Sequence, residues 1–590
     1  MVTQTPLSRR SVLQGGAVGA AALAFGALTT EQARATVAES ARAGVFGFGV
    51  ASGDPTATDV LLWTRVTPSR PALPGSGRGP GSRVDWEVAA DEGFRRVVRR
   101  GSLRTDADRD HTVKVVVGGL TPYTRYWYRF TSRGETSPVG RTQTSPDEPG
   151  RTHALRLAFV SCSNYTGGFF TAYRGLAARD DLDAVLHLGD YLYEYGNDED
   201  RYGPASLAGT RDHEPATEMV TLADYRLRHA LYKTGPDLQA AHQRHPWITV
   251  FDDHEITNDA YDTGAENHEQ QDDPDTSYTG PGEPAGTRAE GDFLARRAAA
   301  FQAYLEWMPI REPGWQPAPH RGTQFFRRFS FGDLADLSVV ETRQNRSQQV
   351  PATVGGQLNP ALTAPARHLP EPEQLTWLTD GITGSRKTWH LVGNQTVLTR
   401  VLALPRAGVL GGQVFNADQW DGYQADQAAL VAAMGRATTD PVVLTGDIHS
   451  SWANDLPAGF DAAAYRTARR SVGVEFVCPS VTSNGFKESL GGSAAAAQSA
   501  TAAFQGVNPW IRYLEGIGHG FAVIDVTPDR VQTDFWFIRS GGDKGLAVDP
   551  RLDPQATVGF ESAWQSVRGT RVVSGPVGQL GPRSDRPRGA

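Results

Sequence analysis

The sequence predicts an α/β protein whose main domain is a layered β-sheet with flanking helices, preceded by a small all-β domain. Three observations support this prediction. The chain has 590 residues, which is too long for one compact core. Residues up to about 145 contain short strand-like runs such as VLLWTRV and YTRYWYRF. After His153, apolar strands alternate with helical segments such as LARRAAAFQAYLEWM, and this alternation is typical of an α/β domain.

The domain boundaries follow from changes in composition along the chain. Residues 40–148 are predicted to form a β-sandwich, because GLTPYTRYWYRF followed by GRTQT resembles the last strands of a fibronectin-III-like fold. Residues 152–545 are predicted to form the α/β domain, with a long surface loop at 262–290, where apolar residues are almost absent. We expect a separate C-terminal segment at 546–590, with a disordered Pro/Gly/Arg-rich tail.

The first 35 residues have the features of an export signal. Arg9 and Arg10 precede a Gly/Ala-rich, weakly apolar segment, and Ala33-Arg34-Ala35 is an A-x-A cleavage site. This pattern is typical of a twin-arginine signal peptide. We therefore predict export by the twin-arginine machinery to a secreted or extracytoplasmic location. The segment is too short and glycine-rich to span a bilayer well, so we expect no stable membrane span after cleavage.

Charge and cysteine content exclude some classes of function. The formal net charge is −8, which argues against a protein that coats nucleic acid. The two cysteines, Cys162 and Cys478, are too far apart in sequence to suggest a disulfide framework. Stability must therefore come from the apolar core. We expect the protein to be a monomer.

Five predicted core strands of the α/β domain end in residues that commonly bind metals. In open α/β sheets, ligands gather beyond the carboxyl ends of the strands. Because five strands deliver such residues to one edge, the sequence predicts a binuclear metal centre. The strands and the residues that follow them are LRLAFV with Cys162 and Asn164, DAVLHL with Asp190 and Tyr193, WITVF with Asp252, Asp253, His254 and Glu255, TWHLV with Asn394, and PVVLT with Asp447 and His449.

Asp190 and Tyr193 lie in the same short motif, GDYLY. A carboxylate can bridge two cations through its two oxygens, and Asp190 sits at the tightest strand–turn junction, so we interpret it as the bridge. Tyr193 is three residues further on, within reach of the same cation. A phenolate is an uncommon ligand that favours a trivalent ion. Each motif also has a structural interpretation, as a turn or as core packing, but the five together favour a metal site.

The order of these strand ends resembles the metallophosphoesterase superfamily, and GDYLY resembles the GDxxY motif of its purple acid phosphatase branch. Three positions depart from the superfamily pattern. Cys162 replaces an aspartate, Asp253 replaces an asparagine, and Asn394 and Asp447 replace two histidines. The second metal site thereby gains oxygen and loses nitrogen, which shifts its preference from zinc toward calcium.

These departures resemble one family, the PhoD-type alkaline phosphatases and phosphodiesterases. The segments FGFGVASGDPTATDVLLWTRV, GGQVFNADQWDGY and NPWIRYLEGIGHGFAVIDV are similar to that family as well, so the resemblance covers nearly the whole mature chain. It implies a metallophosphoesterase-type layered domain and a secreted phosphoester hydrolase. The implied activity is release of phosphate from phosphomonoesters by a metal-activated hydroxide. Glu341 stands where the family leads us to expect Asp.

The resemblance also implies roles for individual residues. An Fe³⁺ ion would be held by Cys162, Asp190, Tyr193 and His449, and a Ca²⁺ ion by Asp190, Asp253, Asn394 and Asp447. His254 would contact the phosphate or assist the leaving group. Asn164 would donate a hydrogen bond to the phosphate, and Arg343 would clamp it. Asp252 and Glu255 are expected to orient His254 or its loop.

Three alternatives remain open at this point. The same metal site could cleave phosphodiesters, including phospholipids in a phospholipase D-type reaction, and the sequence does not separate these substrates. A binding protein with a decayed site predicts missing ligands, whereas all principal positions are filled. A zinc enzyme of another reaction class is disfavoured because spacings such as HExxH are absent from the sequence.

Overall fold

The computed structural model describes residues 31–147, 152–197, 201–268, 290–312, 315–316, 322–404 and 413–583, together with 585, 587 and 589. The twin-arginine motif of the predicted signal lies outside the described residues, as do positions 269–289 of the predicted surface loop. The first described element is helix α1 (Glu31–Arg42). In the described part of the chain, no helix combines the length and the apolar character needed to cross a membrane.

Two large β-sheets form the centre of the protein. The first has nine strands in the order β25-β24-β23-β9-β10-β11-β1-β2-β5, and the second has seven in the order β14-β15-β18-β19-β21-β20-β22. Strands of the first sheet are β1 (Val50–Gly53), β2 (Asp59–Arg65), β5 (Thr112–Gly118), β9 (Leu155–Val160), β10 (Ala184–His187), β11 (Pro246–Thr249), β23 (Gly520–Val526), β24 (Arg530–Arg539) and β25 (Thr557–Val567). Strands of the second are β14 (Arg327–Phe331), β15 (Ala335–Val339), β18 (Trp389–Asn394), β19 (Asp440–Thr445), β20 (Ser451–Asp455), β21 (Val474–Val477) and β22 (Ile511–Glu515).

The two sheets pack face to face, with helices on both outer surfaces. Leu157 and Phe159 of β9 lie in the same buried cluster as Val442 and Leu444 of β19. The alternate residues of these strands face helices instead, which is why both strands read as continuous apolar runs. The helices are α2 (Thr171–Ala177), α3 (Leu222–Tyr232), α4 (Pro236–Arg244) and α5 (Phe293–Trp307) against the first sheet, and α6 (Pro372–Gly384) and α7 (Gln424–Arg436) against the second.

Parallel pairing brings the strand ends to one edge of each sheet. Strands β9, β10 and β11 are mutually parallel, and so are β15, β18, β19 and β21. Three further helices pack near the second sheet, namely α8 (Ala462–Ala468), α9 (Phe486–Ser489) and α10 (Ala494–Val507). The observed layering agrees with the predicted α/β class.

The N-terminal all-β region is continuous with the α/β domain. Its strand β1 pairs with β11 in parallel, with Ser52 opposite Pro246, so β1, β2 and β5 extend the nine-stranded sheet. A separate five-stranded sheet covers these strands and shares a buried cluster with them. It contains β3 (Ser82–Ala89), β4 (Val97–Thr105), β6 (Arg125–Ser132), β7 (Glu135–Thr136) and β8 (Gly140–Gln143). The predicted sandwich is therefore present, but one of its sheets belongs to the main domain. Four two-residue strands form two antiparallel pairs in the described part of the chain, β12 (Trp315–Gln316) with β13 (Gly322–Thr323) and β16 (Thr353–Val354) with β17 (Gln357–Leu358).

The C-terminal segment differs from the expected separate unit with a disordered tail. Strand β25 pairs with β24 from Thr557 to Val567 and so belongs to the main sheet. Beyond it, the Val577 N–H donates to the Ala563 carbonyl at 2.9 Å, and Arg583 forms a buried ion pair with Asp183 at 2.5 Å. Composition predicted disorder, but backbone pairing and a buried charge hold residues 557–583 against the domain.

Arg583 is expected to stabilise the fold measurably. Its guanidinium also donates to the Ala154 carbonyl at 3.0 Å and to the Tyr123 hydroxyl at 2.7 Å. The change Arg583→Ala leaves the buried Asp183 carboxylate without its cation and should lower the free energy of unfolding by about 3 kcal/mol. Denaturant unfolding measures this difference. The exposed Arg568 provides the control, since Arg568→Ala should change stability little; equal effects of the two changes would contradict the prediction.

Candidate metal centre

The ends of five strands converge on one buried site. Cys162 follows β9, Asp190 follows β10, Asp253 follows β11, Asn394 ends β18, and Asp447 and His449 follow β19. Four of these residues adopt positive φ angles, which are 63° at Cys162, 53° at Asp190, 61° at Asp447 and 55° at His449. Such angles are uncommon for residues with a side chain. Their concentration here indicates that sharp turns at the strand ends aim the side chains into a shared space.

Three groups of potential metal ligands share Asp190. Within each group, the ligand atoms lie within 4.8 Å of one another. The groups are Cys162, Asp190 and His449; Asp190, Asp253 and His254; and Asp190, Asp252 and Asp447. A carboxylate that belongs to every group occupies the position that a bridging ligand requires.

Tyr193 joins the group that contains the cysteine. Its hydroxyl donates to Asp190 Oδ2 at 2.9 Å and lies 3.4 Å from His449 Nε2. The ring is fully buried. His449 Nδ1 donates to the Asn484 carbonyl at 2.6 Å, which leaves Nε2 for the site. Cys162, Asp190, Tyr193 and His449 are therefore brought together by the fold.

The second half of the site is rich in oxygen. Asn394 Nδ2 donates to the Thr396 carbonyl, and its Oδ1 accepts a hydrogen bond from Trp420 Nε1 at 3.1 Å. Asp253 Oδ2 accepts from the Asp259 N–H at 2.7 Å. Arg343 Nη2 lies 3.8 Å from Asp253 Oδ2 and 3.6 Å from Asp447 Oδ1, so these two carboxylates share one neighbouring cation.

Arg343 is placed differently from the predicted phosphate clamp. It is fully buried and donates through Nε and Nη2 to the two oxygens of Asp252, and through Nη1 to Asp418 Oδ2 at 2.9 Å. The planar Arg343 guanidinium thus donates hydrogen bonds to carboxylates on two sides. Glu341 holds the same turn, because its carboxylate accepts from the Arg343 N–H at 2.6 Å. The geometry gives Arg343 the role of a counter-charge beneath the carboxylates.

His254 and Asn164 both lie beside the site. His254 Nδ1 and Glu194 Oε2 are 2.7 Å apart, and the imidazole lies against the Tyr193 ring with centroids 4.1 Å apart. Asn164 Oδ1 accepts from the Thr166 N–H at 3.1 Å, and Nδ2 donates to the Tyr202 carbonyl. Asn164 thus stabilises a turn and keeps one amide hydrogen that these bonds do not use.

Glu255 and Asp252 position the carboxylate turns. Glu255 accepts hydrogen bonds from the backbone N–H groups of Asp190 at 3.1 Å, Tyr191 at 2.5 Å and Asp252 at 2.8 Å. It therefore orients the Asp190 turn, whereas the orientation of His254 comes from Glu194. Glu194 and Asp418 are not among the residues that the sequence predicted for the site. The pairing of Glu194 with a histidine distant in sequence leaves no local signal.

The site concentrates buried negative charge. Burial, and then the charge of neighbouring carboxylates, raise the pKa of Asp190 well above its usual value. Burial and Asp190 likewise raise the pKa of the Cys162 thiol well above its usual value. Asp190 Oδ1 is buried and has no hydrogen-bond partner among the described residues. An orphaned carboxylate oxygen beside a thiol, a phenol and an imidazole is the donor set expected where a cation binds, so the residues fit metal ions.

Burial disfavours the protonated form of His254, but neighbouring carboxylates favour it more strongly. Desolvation alone lowers its pKa, whereas Glu194, Asp190 and Asp253 raise that pKa well above the usual value. For the acid Asp252, burial has the opposite effect. It raises the pKa to about 8, although Arg343 opposes this effect. The positive groups of the site are thus held by specific carboxylates rather than by solvent.

Comparison with known proteins gives the site its context. The PhoD-like phosphatase family matches residues 157–535, and the N-terminal domain of PhoD-like phosphatases matches residues 31–146. Alkaline phosphatase D of Bacillus subtilis (strain 168) is 35% identical over 509 residues, which cover 86% of this chain and 80% of that protein. A solved structure of PhoD superposes with a TM-score of 0.75 at 32% identity, covering 92% of this chain and 94% of that one.

The layered sheets define an α/β protein with clusters of potential metal ligands at its strand ends, and its fold is that of PhoD. The chain belongs to the PhoD-like phosphatase family. It is therefore a phosphatase, an enzyme that hydrolyses phosphoesters. The predicted family, fold class and enzyme class are confirmed.

Replacing Asp190 should separate the cost of buried charge from the benefit of bound metal. Without a cation, the buried carboxylate must stay uncompensated or take up a proton, and both cost free energy. We expect Asp190→Asn to stabilise the chelator-treated protein by about 2 kcal/mol and to abolish the stabilisation gained on adding metal. Thermal melts with and without chelator measure both effects.

Asp455 provides the matched control for this experiment. It is buried, it accepts hydrogen bonds from Tyr465 and from the Val573 N–H, and it belongs to none of the three ligand groups described above. Asp455→Asn should destabilise the protein equally with and without metal. If Asp190→Asn behaved in the same way, Asp190 would not be a metal ligand.

Proposed function

We propose that this phosphatase is exported by the twin-arginine pathway and releases phosphate from phosphomonoesters at a centre of one Fe³⁺ and one Ca²⁺. The observation that carries the proposal is that Asp190 belongs both to a group with a thiol and an imidazole and to two groups rich in carboxylates. The paired arginines and the cleavage motif of the N-terminal segment support export. Phosphoester hydrolysis itself follows from family membership.

The half containing Cys162 is suited to iron. Thiolate, phenolate and imidazole donors come from Cys162, Tyr193 and His449, and a phenolate favours a trivalent ion. The half containing Asp253, Asn394 and Asp447 offers oxygen atoms only, which suit calcium. Asp190 would bridge the two ions.

The ions would supply a water of lowered pKa and neutralise charge on the phosphate oxygens. The protein's own residues do the rest. His254 stands beside Asp190 and Asp253, where it can bind a phosphate oxygen or assist the departing alcohol. Glu194 holds the imidazole in place from the opposite side. Asn164 can donate its remaining amide hydrogen to the phosphate. Because a monoester dianion carries more charge than a diester, it gains more from the cations.

Metal analysis of the exported protein tests this proposal. We expect stoichiometric iron and calcium and a visible tyrosinate-to-iron(III) charge-transfer band. Tyr193→Phe should abolish the band because it removes the phenolate oxygen. Tyr195→Phe is the matched control, since the half-buried Tyr195 packs near Tyr193 with ring centroids 6.5 Å apart; it should leave the colour unchanged.

The same preparation distinguishes the substrate classes. Rates on p-nitrophenyl phosphate should exceed those on bis-p-nitrophenyl phosphate, and both should disappear on complete removal of metal. A colourless protein without iron would refute the metal assignment. A strong preference for the diester would replace the monoesterase proposal with the phosphodiesterase or phospholipase D-type alternative.

His254 and Glu194 should affect turnover more than metal binding. Loss of the imidazole in His254→Gln should lower kcat by about 10²- to 10⁴-fold. Glu194→Gln keeps the size of the side chain but weakens its hydrogen bond to the His254 imidazole. The kcat of this variant should therefore fall less, by about tenfold. Steady-state kinetics with parallel metal analysis checks both changes. Full activity of the Glu194→Gln enzyme would show that this contact does not serve turnover.

A further inference from the structure

We propose that residues 480–485, here named the ligand loop, position the thiolate, phenolate and imidazole ligands of the metal centre, and that Arg551 holds the loop in place. The inference rests on the proposed metal site and adds residues that the ligand pattern does not include. Ser483, Asn484 and Arg551 are positioning residues in this scheme, because they act through Tyr193, His449 and Cys162.

Ser483 determines where the Tyr193 oxygen lies. Its Oγ is 2.6 Å from Tyr193 Oη and 3.0 Å from the Cys162 carbonyl, and the residue is fully buried. The phenol in turn donates to Asp190 Oδ2. When the phenol gives up its proton to bind a cation, the Ser483 hydroxyl can still donate to the phenolate. Ser483 can therefore hold the ligand atom in both states.

The next residue fixes the histidine ligand. The Asn484 carbonyl accepts from His449 Nδ1 at 2.6 Å, which sets the tautomer that presents Nε2 to the site. Histidines that bind metals commonly donate their other N–H to a carbonyl or carboxylate in this manner. Gly485 allows the close approach, because a Cβ there would lie 2.6 Å from the His449 carbonyl oxygen.

The loop is also bonded to the turn that carries the cysteine. The N–H groups of Thr482 and Ser483 both lie 3.3 Å from the Cys162 carbonyl, and Thr482 Oγ1 donates to the Asn164 carbonyl at 2.6 Å. One short loop thus contacts three of the four proposed iron ligands. On the calcium side, Asn394 is oriented by Trp420 instead.

Arg551 connects the loop to the C-terminal segment. Its Nη1 donates to the Thr482 carbonyl at 2.8 Å and to Asn484 Oδ1 at 3.0 Å. Nη2 pairs with Asp549 at 2.7 Å and lies 3.4 Å from Glu488. The arginine is almost fully buried. Because a rigid guanidinium spans two residues of the loop, the C-terminal segment contributes to the geometry of the metal centre.

His519 supports the start of the loop. His519 Nδ1 and Ser480 Oγ are 2.9 Å apart, and that hydroxyl donates to the Ser483 carbonyl at 2.7 Å. Glu488 accepts from the Gly485 N–H at 2.9 Å at the other end. The buried His519 therefore supports one end of the ligand loop, and the half-buried Glu488 holds the other.

Ser483→Ala tests the inference. We expect about a 10- to 100-fold loss of affinity for the metal held by Cys162 and His449, and a shift of the charge-transfer band, with calcium content unchanged. Competition with a chelator measures the affinity. Ser451→Ala is the matched control, because the buried Ser451 Oγ has no hydrogen-bond partner among the described residues; it should leave metal and colour unaltered.

Two further variants separate the halves of the site. Trp420→Phe removes the donor to Asn394 and should weaken calcium binding while the band stays in place. Arg551→Lys keeps the positive charge but loses the hydrogen bonds from the guanidinium to Thr482 and Asn484. It should therefore lower the affinity for the same metal as Ser483→Ala does, to a smaller extent. Circular dichroism and thermal melts confirm that each variant is folded before its metal content is compared.

The outcomes distinguish this inference from the proposed function. If wild type is coloured, Tyr193→Phe is colourless and Ser483→Ala keeps the wild-type band and affinity, the positioning role is refuted and the iron assignment stands. If wild type holds another metal, the iron assignment fails. In that case Ser483→Ala must still speed release of the resident metal by about tenfold for the inference to stand, and unchanged release overturns it.

Discussion

The burial of several carboxylates at one point constrains much of the surrounding structure. Asp190, Asp252, Asp253 and Asp447 lie where the strands of two packed sheets end, and all are almost fully buried. Charges of one sign in an apolar interior are costly unless they are compensated. Glu255 and Glu341 tie the turns through backbone N–H groups, and Arg343 lies between the carboxylates. These contacts preserve a geometry that mutual repulsion would otherwise open.

The sequence predicted the parts of the site that follow directly from strand order. Cys162, Asp190, Tyr193 and His449 were identifiable because each stands at the end of an apolar run, and parallel pairing brings such ends together. The α/β class was predictable for the same reason, since both faces of β9 and β19 are buried. Motif order then led to the family.

Contacts between distant segments were not predictable from the sequence. Glu194 meets His254, Arg343 meets Asp418, and Ser483 meets Tyr193 only after the two sheets have packed. The sequence shows which residue types are available but not which of them pair. Arg343 illustrates the problem, because an arginine near a phosphate site suggests anion binding, whereas its burial among carboxylates gives it a different role. The C-terminal tail is a similar case, because its composition conceals the ion pair of Arg583.

The position of β1 has a consequence for how the chain must assemble. This early strand lies between β2 and β11, and β9 lies between β10 and β23, so the nine-stranded sheet joins three blocks of the chain that are far apart in sequence. The β1–β11 pairing is parallel and the β9–β23 pairing is antiparallel. Both are non-local, and non-local pairing folds slowly because long loops must close before the contacts form. The nine-stranded sheet is therefore complete only after the residues up to Val567 have been synthesised.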